Sequence, residues 1–139
     1  MPIPDCDARV ALDRKYSPYH IWVYPMPDNI AYIGATESFH KMVYIIKFSL
    51  ADTGTVLSAM REDSFGYVEG SKINSDLTAP VSGTVIEKNP YCEIEKLYTN
   101  GWMLKIQMSN PDELNRLYTP QYYAYLESPS WSGPIPPMH

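Results

Sequence analysis

Cysteine is nearly absent from this chain: Cys6 and Cys92 are the only two in 139 residues. Two thiols cannot build the disulfide framework of a small secreted domain. The opening MPIPDCDARV has neither the basic n-region nor the apolar h-region of a secretory signal. Both thiols are therefore expected to be reduced, in the cytoplasm, and Asp5 and Asp7 beside Cys6 disfavour its thiolate. Glycine is scarce at 7 residues, and neither GxGxxG nor a P-loop is present. The three histidines, His20, His40 and His139, show no ligand-like spacing, and HExxH and paired CxxC are missing as well. No apolar run is long enough to cross a bilayer, so no membrane span is expected. A net charge of −5, with no clustered Lys/Arg stripe, argues against nucleic-acid binding.

What the chain does have is 12 tyrosines, 13 prolines and 45% hydrophobic residues, enough for one domain with a core. Runs of β-branched and aromatic residues bounded by turn formers read as strands. HIWVYPM (20–26) and NIAYIGA (29–35) flank Pro27-Asp28, a tight hairpin turn. VYIIKFSL (43–50) is a longer strand, followed by a turn at 51–54 and a short strand near 55–57. Further strands fall at 64–69, 76–79, 83–88 and 102–108. Such close spacing suggests a sandwich or barrel rather than βαβ units. Helices are short: TESFHKM (36–42) with Thr36 as N-cap, a start at Asn110-Pro111-Asp112-Glu113-Leu114, and another at Thr119-Pro120. Residues 1–127 form the single domain. The Pro/Ser-rich tail 128–139 is expected to be mobile or to lie extended on the surface.

None of the usual catalytic constellations is present, and one residue stands out. Lys72 lies in GYVEGSKINSDLTAPVSG (66–83), in a polar turn between two strands. A hairpin-tip lysine is an ordinary exposed charge on spacing alone. It is also what a covalent carrier needs, because its amine can enter another protein's active site. Cys92 reads as an unremarkable loop cysteine.

At this point the sequence resembles a known family over nearly its whole length, the glycine cleavage system H proteins. The family motif has a glutamate three residues before the modified lysine, then Ser-Asp or Ser-Glu, then Pro-Val-Ser-Gly. Glu69, Lys72, Ser75, Asp76, Pro80, Val81, Ser82 and Gly83 match it in order. Further matches are YSP (16–18), His20-x-Trp22, Ile33-Gly34-x-Thr36, Gly101-Trp102, Leu104-Lys105-Ile106 and Asp112-Glu113-Leu114. The resemblance implies a mainly β barrel-sandwich hybrid of two small antiparallel sheets, with short peripheral and C-terminal helices. It also implies a non-catalytic, monomeric carrier with lipoic acid in amide linkage to Lys72, attached by a lipoate ligase or lipoyl transferase. The related biotinyl carriers usually flank their lysine with methionines, where this chain has Ser71 and Ile73.

Three departures stand out. The family's His-Glu-Trp is His20-Ile21-Trp22, and that glutamate helps hold an amine-bearing arm in a cleft, near which Asp76 is also expected. The connection NPYCEIEKLYTNGW is shorter than usual and brings Lys88 and Lys96 near Cys92. Gly70-Ser71 replaces the usual Ser-Val, with Gly70 expected to loosen the strand. The loss of the glutamate favours a paralogue whose arm carries sulfur between heterodisulfide-reductase-like enzymes of a sulfur-oxidation pathway. The alternative is a glycine cleavage H protein moving an aminomethyl group among the P, T and L proteins. An unmodified interaction module of the same fold is the third reading.

Overall fold

The computed structural model describes residues 10–90, 92, 101–128 and 130–139. Cys6, Lys96 and most of the connection before Gly101 lie outside the described residues. Strands β1 (Lys15–Tyr16), β2 (Ile21–Met26), β3 (Ile30–Ala35), β4 (Ile45–Leu50), β5 (Val56–Leu57), β6 (Ser64–Gly70), β7 (Ser75–Thr78), β8 (Gly83–Lys88) and β9 (Leu104–Met108) form two antiparallel sheets. One is six-stranded, ordered β1-β2-β3-β9-β8-β5, and the other is three-stranded, ordered β4-β6-β7. Two helices, α1 (Glu37–Val43) and α2 (Pro120–Glu127), flank them. This is the expected mainly β, two-sheet architecture. Among the described strands neither sheet closes into a barrel.

Alternation builds the core. Val23 and Ile33 face each other across β2 and β3, and Ile106 pairs with Val85 across β9 and β8. These four are fully buried together with Phe65, Val68 and Leu77 of the smaller sheet. Each such side chain contributes roughly 1.5–3 kcal/mol on leaving water, so the two sheets hold one shared apolar layer. A second cluster, around Trp22, Tyr16, Trp102 and Tyr123, lies beside it.

The predicted hairpin at Pro27-Asp28 forms, with Pro27–Asn29 as a 3₁₀ turn. Asp28 and Asn29 take positive φ of 65° and 60°, a region these residue types tolerate better than most. The strand expected from Val43 begins only at Ile45. Val43 closes α1, and Tyr44 takes a left-handed C-cap conformation at φ 57°. Thr36 is the N-cap as expected, accepting the Phe39 N–H at 3.2 Å. Strand β1 carries only two residues and left no periodic signal; a bridge between Tyr16 and Tyr118 holds it.

The helix start at Asn110 gives a 3₁₀ helix over Pro111–Arg116, and Asn110 makes no side-chain cap. Its acid has another use. The buried Glu113 carboxylate accepts the Ser82 N–H at 2.7 Å and the Ser82 hydroxyl at 2.9 Å. Ser82 Oγ in turn accepts the Ala59 N–H at 2.9 Å. The Pro-Val-Ser-Gly turn is thus pinned to two distant segments through Ser82, whose N–H and hydroxyl meet the hydrogen-bond demand of the buried Glu113 carboxylate.

In the tail, Pro137 and Met138 return to the start of α2. The Thr119 hydroxyl donates to the Pro137 carbonyl at 2.7 Å, and the Thr119 N–H to the Met138 carbonyl at 2.9 Å. Trp131 meets Tyr125 edge-on, with ring centroids 5.6 Å apart.

Between β5 and β6, Asp63 accepts the Ser58 N–H at 2.8 Å and Arg61 Nη2 at 3.0 Å. The Arg61 hydrogen bond, then the Ser58 N–H, holds the Asp63 carboxyl below its ordinary value. A depressed carboxyl pKa stabilises the fold above the unfolded-state value and loses that contribution as pH falls through the folded-state value. The urea midpoint of the wild type should therefore exceed that of Asp63→Asn at neutral pH, and the two should converge as pH drops below about 4. A gap that stays constant with pH would contradict this. Replacing Glu113 with Ala leaves Ser82 unsatisfied and should lower the unfolding free energy by about 2–4 kcal/mol, measured by urea denaturation at pH 7.

Candidate functional site: the β6–β7 hairpin on α1

Four of the six residues singled out in the sequence lie on one hairpin. Glu69 is on β6, Lys72 at the tip, and Ser75 and Asp76 at the start of β7. Val68 and Leu77 turn into the core, whereas Glu69, Lys72 and Asp76 are exposed. Ser75 Oγ donates to the Asp76 carbonyl at 3.0 Å. Asp76 Oδ1 lies 3.4 Å from Ser64 Oγ on the neighbouring strand. Glu69 is opposite Lys47 of β4 in register.

The tip is braced by α1. Ser71 N–H donates to the Tyr44 carbonyl at 3.0 Å, and Lys72 N–H to the Val43 carbonyl at 3.2 Å. These carbonyls end a helix, where no intrahelical donor remains, so the hairpin backbone serves as the helix cap. Gly70 makes the approach possible: a Cβ there would lie 1.9 Å from the Val43 oxygen and 2.5 Å from the Ile73 oxygen. The expectation that Gly70 loosens the strand is corrected here, because the missing side chain is what lets two backbones meet tightly.

Lys72 also differs from the sterically free amine that the sequence suggested. Its Nζ donates to the Lys41 carbonyl at 3.0 Å and lies 5.9 Å from the Tyr44 ring centroid. The side chain is exposed yet tethered. Neither Lys41 nor Tyr44 was recognisable from sequence, because the first acts through its backbone and the second through an unusual φ.

His20 and Ile21 belong to another place. His20 has φ 66° and sits just before β2. Its Nδ1 is 2.7 Å from the Tyr123 hydroxyl and 3.4 Å from Glu127 Oε1. The same Tyr123 hydroxyl is 2.9 Å from Thr36 Oγ1, at the N-cap of α1. His20 therefore contacts the N-terminal end of α1, and Lys72 its C-terminal end. Seven residues at about 1.5 Å each put roughly 10 Å between them. Ile21 is fully buried in the main core, opposite Ala35 of β3 in register. It lines no open surface, so its identity is set by packing.

A cleft of about 650 Å³ lies between α1 and α2, lined by Val10, Leu12, Glu37, Lys41, Ala124 and Glu127 among others. Lys41 thus borders both the cleft and the Lys72 ammonium. Cys92 is half-buried and free of disulfide, with Sγ 3.2 Å from the Gly101 carbonyl. Lys88, expected near it, pairs with Asp52 Oδ1 at 3.0 Å. Among the described residues no group of His, Cys, Asp and Glu could hold a metal ion, and no helix is long and apolar enough to cross a membrane.

Two small sheets that present an exposed lysine at the tip of a braced hairpin have the form of a carrier domain. Comparison with known proteins identifies which kind. Residues 14–129 match the glycine cleavage H-protein family. The glycine cleavage system H protein of Carboxydothermus hydrogenoformans is 42% identical over 124 residues, covering 84% of this chain and 93% of that one. The mitochondrial H protein of Drosophila melanogaster is 34% identical over 127 residues, covering 86% and 76%. The crystal structure of the H protein from Mycobacterium marinum superposes with a TM-score of 0.72 at 27% identity, covering 85% of this chain and 98% of that one. The chain belongs to the glycine cleavage H-protein family. Its members are non-catalytic carrier subunits with lipoic acid on a lysine.

Gly70→Ala should cost about 1–3 kcal/mol through overpacking against the Val43 carbonyl, as read from urea denaturation. Unchanged stability would show that the junction is not tight.

Proposed function

We propose that Lys72 is the lipoyl attachment site and that the chain is a glycine cleavage H protein, carrying the aminomethyl group among the P, T and L proteins. The observation that carries this reading is Lys72 itself, exposed at the tip of the β6–β7 hairpin within the family's ordered motif. When bound, lipoic acid supplies a disulfide that opens, holds a group on sulfur and closes again. The protein's own part is to present the lysine on a fixed hairpin and to dock its partners, which raises the effective concentration of the carried group at each active site. A lipoate ligase or lipoyl transferase would install the group, and this exchange is placed in the cytoplasm, where thiols such as Cys92 stay reduced.

The sulfur-carrying reading rested on the missing glutamate at position 21. Ile21 packs in the core, so its identity says little about what an arm would meet outside. The relatives named above are glycine cleavage H proteins. The glycine cleavage alternative therefore fits better.

Two measurements test the reading. Intact mass after treatment with lipoate ligase, lipoate and ATP should rise by one lipoyl group in the wild type and stay unchanged in Lys72→Ala; equal gain in both would remove Lys72 from the site. The lipoylated protein, incubated with glycine decarboxylase, pyridoxal phosphate and glycine, should then gain an aminomethyl group. No gain alongside a working control H protein would reject the glycine cleavage assignment.

A further inference from the structure

The unmodified Lys72 ammonium occupies a place that an acylated lysine cannot fill equally well. Lys41, whose carbonyl accepts Nζ at 3.0 Å, lies in the last turn of α1 (Glu37–Val43). Carbonyls there lack intrahelical donors and form the negative end of the helix dipole. Two neighbouring carbonyls, those of Val43 and Tyr44, are served by the Lys72 and Ser71 N–H groups, so one short segment meets three carbonyls at this helix end. The other basic side chains nearby are turned to different tasks. Lys41 Nζ pairs with Glu37 Oε1 at 3.1 Å, and His40 Nδ1 accepts the Ile45 N–H at 3.1 Å. The Tyr44 ring is stacked on His40 with centroids 5.1 Å apart, which fixes the aromatic face that Lys72 approaches.

We propose that free Lys72 is the charged C-terminal cap of α1 and that acylation withdraws it, loosening the junction between helix and hairpin as the arm is installed. This inference rests on the reading of Lys72 as the acylated lysine. In that step the deprotonated amine attacks the carbonyl carbon of an activated acyl donor. A C–N bond forms, the leaving group departs with its bonding pair, one amine proton passes to water, and the nitrogen keeps one hydrogen. That remaining N–H can still point at the Lys41 carbonyl, but it carries no charge. A charge-assisted hydrogen bond is roughly twice as strong as a neutral one, and the cation–π attraction to Tyr44 ends with the charge. The attached arm therefore starts from a side chain no longer held by its charge against the helix, while the Lys72 backbone N–H keeps its bond to the Val43 carbonyl. The folded protein distinguishes its own unmodified and modified forms at α1, with no other residue changing.

Amide hydrogen exchange followed by NMR tests this in four proteins: unmodified wild type, Lys72→Arg, Lys72→Met and the lipoylated wild type. The reporters are the Tyr44, Ser71 and Lys72 or position-72 amides, with Val85 in β8 as an internal control. Exchange at the reporters should be roughly two- to fivefold faster in Lys72→Met and in the lipoylated protein than in the unmodified one. Lys72→Arg, which keeps the charge, should match the wild type, and Val85 should be unchanged throughout. Equal reporter exchange in Lys72→Met and wild type would overturn the cap. Faster exchange in Lys72→Met without any change on lipoylation would overturn the modification switch. Failure of the functional reading is seen separately, as a chain that gains no mass with any ligase, and the Lys72→Met comparison still decides the cap.

Discussion

The last turn of α1 leaves carbonyls that the helix cannot satisfy, and the tip of the β6–β7 hairpin satisfies them. This one exchange of hydrogen bonds ties a helix to the turn that carries Lys72. Lys72 and Ser71 N–H groups reach Val43 and Tyr44, and the Lys72 ammonium reaches Lys41. Much of the local sequence makes sense only through it. Gly70 gives room for the Val43 carbonyl, and Tyr44 takes a left-handed conformation to turn the chain from helix to strand. A hairpin held only by its own two strands would present its tip on a flexible lever. Fixed to α1, the tip has a defined position relative to the core.

The other end of α1 is fixed in a different way. Thr36 caps it, and the Thr36 hydroxyl shares Tyr123 with His20. Tyr123 belongs to α2 and stacks on Tyr16 at 4.4 Å between ring centroids. The helix thus spans from the lysine to the C-terminal helix, with the cleft lined by Glu37, Lys41 and Glu127 between them. A carrier must hold its attachment point steady while its partners come and go. The arrangement supplies that steadiness through backbone hydrogen bonds and the buried Thr36 and Tyr123 hydroxyls.

How much of this was legible depends on the kind of signal each residue leaves. The hairpin at Pro27-Asp28, the cap at Thr36 and the strand over 83–88 could be read because turn chemistry, capping and alternation are local. The end of α1 at Val43 could not, since VYIIKFSL alternates too weakly to show where helix gives way to strand. Glu113 looked like a helix-start acid, and only the fold turned it toward Ser82. Ile21 was the most misleading position. As a departure from a family pattern it suggested a different cargo, whereas in the structure it is a core residue opposite Ala35.

The sequence alone determined that the fold is mainly β and that one lysine lies in a carrier motif, because those features lie in local patterns and in the order of short matches. Its family followed from the same ordered matches. What only the tertiary structure decided is the condition of that lysine. Whether an amine at a hairpin tip is free or held depends on which carbonyls the rest of the chain brings near it, and those of Lys41, Val43 and Tyr44 lie some thirty residues away in sequence. A contact between a side chain and a distant backbone atom leaves no trace in residue identity, because every residue type carries the same carbonyl.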